Sequence, residues 1–228
     1  MGQYKYVGIT VRHDDCWSNF TTSNYFDTLM NVEYASFNIL KATRVAIVRG
    51  SQDDNRFMIK SALNNDKSII DYEISHLISN NRYSFYMITM LQDADSTVIG
   101  RLRAKGILML NASIKDGKEI YDIIVSKDTE PLITNSLKND SRVEIINFIS
   151  SNLKGETLFK MVSRNVMDML LTEKEQLLMK KARELGYFNV PRKKNLEEVA
   201  KELGVSKMNI SLSLRNILKK VSNLIYAF

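Results

Sequence analysis

Between residues 82 and 150 the apolar positions switch between a period of about two and a period of about 3.6, the signatures of strand and helix. Residues 83–91 (YSFYMITML) form a β-rich apolar run, after which Val98, Ile99 and Leu102 fall at helical spacing within 96–105, with Gly106 placed to stop the helix. Residues 107–114 and 119–125 are two strand-like runs joined by Lys115-Asp-Gly-Lys118, whose Asp-Gly pair favours a tight hairpin. Asp128 can cap a helix through Asn139, with Pro131 near its first turn where a missing N–H costs little, and 142–149 closes as a strand. The order is βαββαβ, a ferredoxin-like unit.

Residues 3–78 carry a weaker version of the same order. Residues 4–12, 35–43 and 46–49 read as strands, 54–65 as a helix and 68–74 as a closing strand, while 13–34 shows no clean helical period. At an offset of 74 residues, Asp54, Ile59, Leu63, Asn65 and Asp66 meet Asp128, Ile133, Leu137, Asn139 and Asp140, five identities in 13 positions. The expectation is an internal duplication, with one ferredoxin-like unit over 1–80 and a second over 81–151.

Residues 152–171 read as a linker. Leu158, Met161, Val162, Val166, Met169 and Leu170 recur at helical spacing, but Gly155 and the polar Ser163-Arg-Asn165 interrupt any single long helix. Such a Met-rich stripe packs into a core or an interface.

From 172 to 228 the pattern is helical throughout. Thr172-Glu-Lys-Glu175 is a capping box; Leu177, Leu178, Ala182 and Leu185 give one apolar stripe, and Gly186 ends the helix. Tyr187-Phe-Asn-Val-Pro-Arg192 crosses to a second helix capped by Asn195, with Leu196, Val199, Ala200 and Leu203 facing inward and the aromatic pair packed against the module. Gly204 makes a turn, Val205 fills the space beneath it, and Ser206 caps a third helix whose buried stripe is Ile210, Leu214, Ile217, Val221 and Leu224. A small residue at 200, a glycine at 204 and apolar positions at these offsets are the pattern of a helix-turn-helix. The fold class expected is therefore α+β, with N-terminal tandem ferredoxin-like, ACT-like units and an all-α C-terminal helix-turn-helix module.

Charge adds a partner. Residues 172–228 carry 12 Lys+Arg against 6 Asp+Glu, whereas 1–171 carry 20 of each, so the tail holds the whole net charge of +6. Cationic excess on a segment that can present a helix suits double-stranded DNA, where affinity begins with phosphate neutralisation. Removing the buried stripe from the third helix leaves Lys207, Met208, Asn209, Ser211 and Leu212 in the turns that reach base edges, with Ser206 and Arg215 where phosphates pass. Arg192, Lys193 and Lys194 are natural backbone contacts.

The run Leu171-Thr-Glu-Lys-Glu, Gly186-Tyr-Phe-Asn-Val-Pro-Arg192, Leu196-Glu-Glu-Val-Ala, Leu203-Gly-Val-Ser and Leu214-Arg215 resembles the C-terminal domain of archaeal transcription regulators of the bacterio-opsin-activator type. The Gly-Tyr-Phe-x-Val-Pro-Arg junction is its most specific piece. The resemblance implies DNA-binding transcription control and an archaeal source, and leaves the signal open because N-terminal domains differ among such proteins.

For the N-terminal half, ACT-like units suggest a small-molecule effector or a homodimer contact. His13-Asp-Asp-Cys-Trp17 follows the first strand. His13 and Cys16 with Asp14 or Asp15 fall short of a four-ligand zinc site, and the reading favoured is a turn with a packed Trp17, with no metal and no cofactor. A redox-responsive thiol is the other alternative. No phosphate-binding glycine loop, nucleophile elbow or zincin helix occurs, so catalysis is not expected. With no run of about 18 apolar residues and a single cysteine, the chain reads as soluble and cytoplasmic. Two rivals to a sequence-specific regulator are an architectural DNA-binding protein of low specificity and an enzyme with an appended DNA-binding module.

Overall fold

The computed structural model describes residues 3–21, 24–49, 52–79, 83–159, 161 and 170–225. The chain divides into two compact units, Met1–Met161 and Val162–Phe228. Their class is α+β: a large antiparallel sheet in the first and helices in the second. No helix among the described residues is long and apolar enough to cross a membrane.

The first unit runs β1 (Tyr4–His13), a 3₁₀ turn (Trp17–Phe20), β2 (Tyr25–Ser36), β3 (Ile39–Val48), α1 (Gln52–Asn64), β4 (Ile69–Ser79), β5 (Ser84–Asp93), α2 (Val98–Ala104), β6 (Met109–Lys115), β7 (Lys118–Ser126), α3 (Thr129–Lys138) and β8 (Val143–Asn152). The strands form one eight-stranded sheet in the order β4-β5-β3-β2-β6-β7-β1-β8. Residues 1–80 and 81–151 therefore do not build a sheet each: β1 pairs with β7 and β8, and β5 with β3 and β4.

Two apolar clusters follow this interleaving. Val7, Ile9 and Val11 of β1 pack with Val98, Ile99 and Leu102 of α2, Ile123 and Val125 of β7, and Ile133 and Leu137 of α3. Tyr86, Ile88 and Met90 of β5 pack with Ala42, Ala46 and Val48 of β3, Ile59 and Leu63 of α1, Trp17 of the 3₁₀ turn and Cys16 just before it. The pairs Ile59/Ile133 and Leu63/Leu137 thus occupy equivalent places in different clusters. Asp66 and Asp140 also match: Asp66 accepts from the Ser68 amide at 2.8 Å, and Asp140 from the Arg142 amide at 2.9 Å.

Local chemistry accounts for most of the elements. Asp116 and Gly117 have φ of 54° and 70°, the two successive left-handed residues that a tight β6–β7 hairpin requires. Helix α2 begins at Val98, two residues inside the expected 96–105, because Thr97 caps it, accepting from the Gly100 amide at 3.0 Å. Asp128 makes no side-chain cap on α3; Ser126 Oγ takes the Thr129 amide at 3.1 Å instead.

The expected strand at 35–43 is displaced, since β2 and β3 turn at Phe37 and Asn38 in its middle. Residues 33–36 lie on the open end of β2, mostly exposed on both faces, so no alternation marks them as a strand. Residues 13–34 lack a helical period because they hold the 3₁₀ turn and most of β2. In the linker Met161 is buried and its carbonyl accepts from Asn111 Nδ2 at 3.0 Å, while Leu158 and Phe159 are exposed. Val162, Val166 and Met169 lie outside the described residues.

The halves of the sheet meet at a short seam, where Phe26, Asp27 and Thr28 of β2 pair with Lys115, Ile114 and Ser113 of β6. Asp27 is fully buried there. Arg44 donates Nε to Asp27 Oδ2 at 2.9 Å and Nη2 to Oδ1 at 2.6 Å; Tyr25 Oη adds a bond at 2.8 Å, and the Ile114 amide one at 3.1 Å. Burial by itself lowers the Arg44 pKa, but the Asp27 carboxylate reverses this and holds the guanidinium above its ordinary range. Replacing Arg44 with Leu leaves that carboxylate buried and unpaired. We expect a loss of about 3–5 kcal/mol in unfolding free energy, measured by urea denaturation of the full chain.

Candidate functional site

Among its described residues the second unit has the helices α4 (Glu173–Glu184), α5 (Leu196–Glu202) and α6 (Lys207–Ile225). Two capping boxes start the first two. Thr172 Oγ1 accepts from the Glu175 amide at 3.3 Å while Glu175 takes the Thr172 amide at 2.8 Å; Asn195 and Glu198 repeat the exchange at 3.0 and 2.7 Å. Ser206 starts α6 by accepting from the Asn209 amide at 3.2 Å.

The ends of α4 and α5 are equally specific. Gly186 and Gly204, at φ 74° and 65°, each follow a helix whose last carbonyls are closed by crossed bonds: Tyr187 N to Ala182 O and Gly186 N to Arg183 O, then Val205 N to Ala200 O and Gly204 N to Lys201 O. This is the Schellman arrangement, and the left-handed residue it needs is why glycine stands at both places.

Leu178, Ala182, Val199, Ala200, Ile210 and Ile217 form the buried centre of the unit, with Leu171, Met179, Leu185, Tyr187, Leu196, Leu203, Leu214 and Val221 packed against it. Three expected core positions differ. Leu177 is 54% exposed, Met179 taking its place in the stripe, and Val205 is 44% exposed because its amide, rather than its side chain, closes the turn. Phe188 is also exposed; only Tyr187 of the aromatic pair packs inward. The side chain of Leu224 lies outside the described residues.

What remains outward is the face expected to meet DNA. Ser206, Lys207, Met208, Asn209, Leu212 and Arg215 are exposed and Ser211 is half-buried, all on the first turns of α6 or its cap. Met208, at 72% exposure, is an apolar side chain with no core to fill. The basic residues are partly engaged within the unit: Lys207 Nζ lies 3.3 Å from Glu197, Lys194 Nζ lies 2.6 Å from Glu202, and the Arg192 guanidinium sits 4.8 Å from the centre of the Tyr187 ring. Lys193 lies along Gly186, its amide donating to the Gly186 carbonyl at 3.1 Å. The acidic partners Glu197 and Glu202 had no mark in the sequence, because the contacts span 10 and 8 residues across a turn.

Lys220, on the C-terminal half of α6, reaches Glu175 at 2.6 Å and ties α6 to the start of α4. Burial raises the Glu175 pKa, but the bonds from Lys220 and Thr172 outweigh it and leave the carboxyl below its ordinary range. A lowered carboxyl pKa contributes stability above the unfolded value, and that contribution disappears as pH falls through the folded one. Glu175→Gln should therefore destabilise the helices at pH 6 and lose its effect toward pH 3, as followed by helical circular dichroism in denaturant. Thr172→Ala should cost about 1 kcal/mol at neutral pH in the same assay.

In the sheet unit, Trp17 is packed, with its ring edge-on to Tyr25 at 5.9 Å. His13 and Cys16 come together, but Asp14 and Asp15 point to solvent, Asp15 pairing with Lys67 at 3.8 Å. The carboxylate beside them is Glu119 of β7, which no spacing in the sequence connects to residue 13 or 16. Burial lowers the His13 pKa, and burial together with Glu119 and Asp66 pushes the Cys16 thiol well up.

We found no match to the chain among curated proteins. Residues 171–223 match the family model described as an HTH DNA binding domain. These boundaries enclose α4, α5 and all but the last two residues of α6. The chain carries a helix-turn-helix DNA-binding domain of the kind found in transcription regulators.

Proposed function

We propose that this protein is a non-enzymatic, sequence-specific transcription regulator of the archaeal bacterio-opsin-activator type, reading the major groove with α6 and taking its regulatory input through the sheet unit. The observation that carries this reading is the exposed face Lys207, Met208, Asn209 and Leu212 at the start of α6, presented by a domain that matches a DNA-binding family. Lys207 and Asn209 can hydrogen-bond base edges, and Met208 and Leu212 can meet thymine methyl groups. Arg192, Lys193, Lys194, Ser206 and Arg215 sit around that face as phosphate contacts.

For the sheet unit we infer two duplicated ferredoxin-like, ACT-like halves that have exchanged their leading strands. A half standing alone would have the order β4-β1-β3-β2; the sheet instead has β5 where β1 would lie in one half and β1 where β5 would lie in the other. The repeated β-helix-β-β-helix-β order and the matched residues Ile59/Ile133, Leu63/Leu137 and Asp66/Asp140 support this. The end strands β4 and β8 carry exposed Leu77, Ile78, Ile146 and Ile149, which favours a homodimer formed along a sheet edge. A dimer would present two recognition helices to a palindromic site.

Lys207→Ala should change base preference in a selection from random duplexes. Lys193→Ala should weaken all sequences alike and flatten the salt dependence by about one unit of slope. Equal losses on every sequence for both variants would refute that division of roles, and absence of any complex with duplex DNA at low salt would refute the function itself. Light scattering on the full chain should give twice the 26.2 kDa chain mass; a monomer at micromolar concentration would remove the dimer.

A further inference from the structure

We propose that His13, Cys16 and Glu119 bind a divalent transition-metal ion of the zinc class, with three protein ligands and a fourth position for water. His13 ends β1, Cys16 precedes the 3₁₀ turn and Glu119 lies near the start of β7, opposite Val11 of β1. Strand register thus fixes two of the residues, and a short connection from β1 places the third. Their ligand atoms all lie within 4.8 Å of one another. Bond lengths of about 2.0–2.3 Å at tetrahedral angles draw such atoms to about 3.3–3.7 Å apart, a side-chain adjustment that leaves the strands in place.

Two observations point to an ion. His13 and Glu119 are each only 7% exposed, yet His13 Nε2 and Glu119 Oε1 are buried without a hydrogen-bond partner. Leaving each such atom unmet costs about 1–3 kcal/mol, and one ion satisfies both together with the thiol. Glu119 also has no ion pair among the described residues: its other oxygen accepts from Tyr121 Oη, while the nearby Arg44 is committed to Asp27. The guanidinium of Arg101 acts on Glu119 only from a distance and is tied to Asp140, so no cation touches the buried carboxylate, and a divalent ion would supply that contact.

Size and chemistry narrow the occupant. The narrow cavity that His13, Cys16 and Glu119 help to line holds about 20 Å³, room for an ion with one bound water and far too little for an amino-acid-sized effector. Imidazole, thiolate and carboxylate together suit zinc, not calcium or magnesium, which take oxygen donors. On binding, the Cys16 proton leaves to solvent and the sulfur binds as thiolate; the charges of thiolate and Glu119 then balance the ion. Asp66 is a positioning residue: its carboxylate accepts from the Trp17 amide at 3.1 Å and from Ser68 N and Oγ at 2.8 and 2.6 Å, which fixes the backbone beside Cys16. The site goes beyond the DNA-binding reading and does not depend on it.

Cobalt(II) titrated into the reduced, metal-stripped full chain tests the assignment. The expected result is one equivalent bound, with an intense near-ultraviolet sulfur-to-cobalt band and the visible bands of a four-coordinate ion, both removed by one equivalent of zinc(II). Because Cys16 is the chain's only cysteine, the sulfur band by itself identifies the ligand. Glu119→Gln should weaken zinc binding by more than about tenfold, a loss that removal of even an outer-shell partner can cause, and His76→Gln should change nothing. A wild-type spectrum showing only hydrated cobalt overturns the proposal, whatever the variants do. So does zinc affinity unchanged in Glu119→Gln or in folded Cys16→Ser, which would place the ion elsewhere.

Discussion

Asp27 carries its charge at the narrowest point of the sheet, where three residues of β2 meet three of β6, and no water reaches it. Every acceptor direction it offers is taken up from a different piece of chain: Arg44 from β3, Tyr25 from β2 itself and the amide of Ile114 from β6. A buried ion pair adds little net stability compared with an apolar replacement, but it tolerates few alternative partners. Sliding β2 against β6 by one residue would turn Asp27 to the other face and strand both charges. The pair therefore fixes the register on which the two apolar clusters, and the residues between them, depend.

The tail was legible to nearly the last residue, and the reason is that its determinants are local. Caps at Thr172, Asn195 and Ser206 and stops at Gly186 and Gly204 act within one helical turn, so their spacing survives in the sequence. The hairpin at Asp116-Gly117 was legible on the same ground. The errors in the tail, at Leu177, Phe188 and Val205, are positions where an apolar residue borders the core and neighbours at 179, 187 and 200 are covered instead.

The sheet was legible as a list of elements and not as an arrangement. Strand order is set by pairings such as Val7 with Ile123, between residues more than a hundred positions apart, and hydrophobic period contains no information about which strand lies beside which. The same non-locality hid Glu119 from His13 and Cys16. Acidic neighbours at 14 and 15 drew attention instead, although they follow a residue at the end of a strand and turn outward with the chain.

Because β1 completes the cluster around α3, and β5 the cluster around α1, each half of the sheet unit takes the strand next to its edge from the other. Severing the connection between residues 79 and 84 would give two pieces, each with a slot that only the other can fill. The pieces would hold together as a non-covalent complex, and neither would persist by itself as a miniature of the whole.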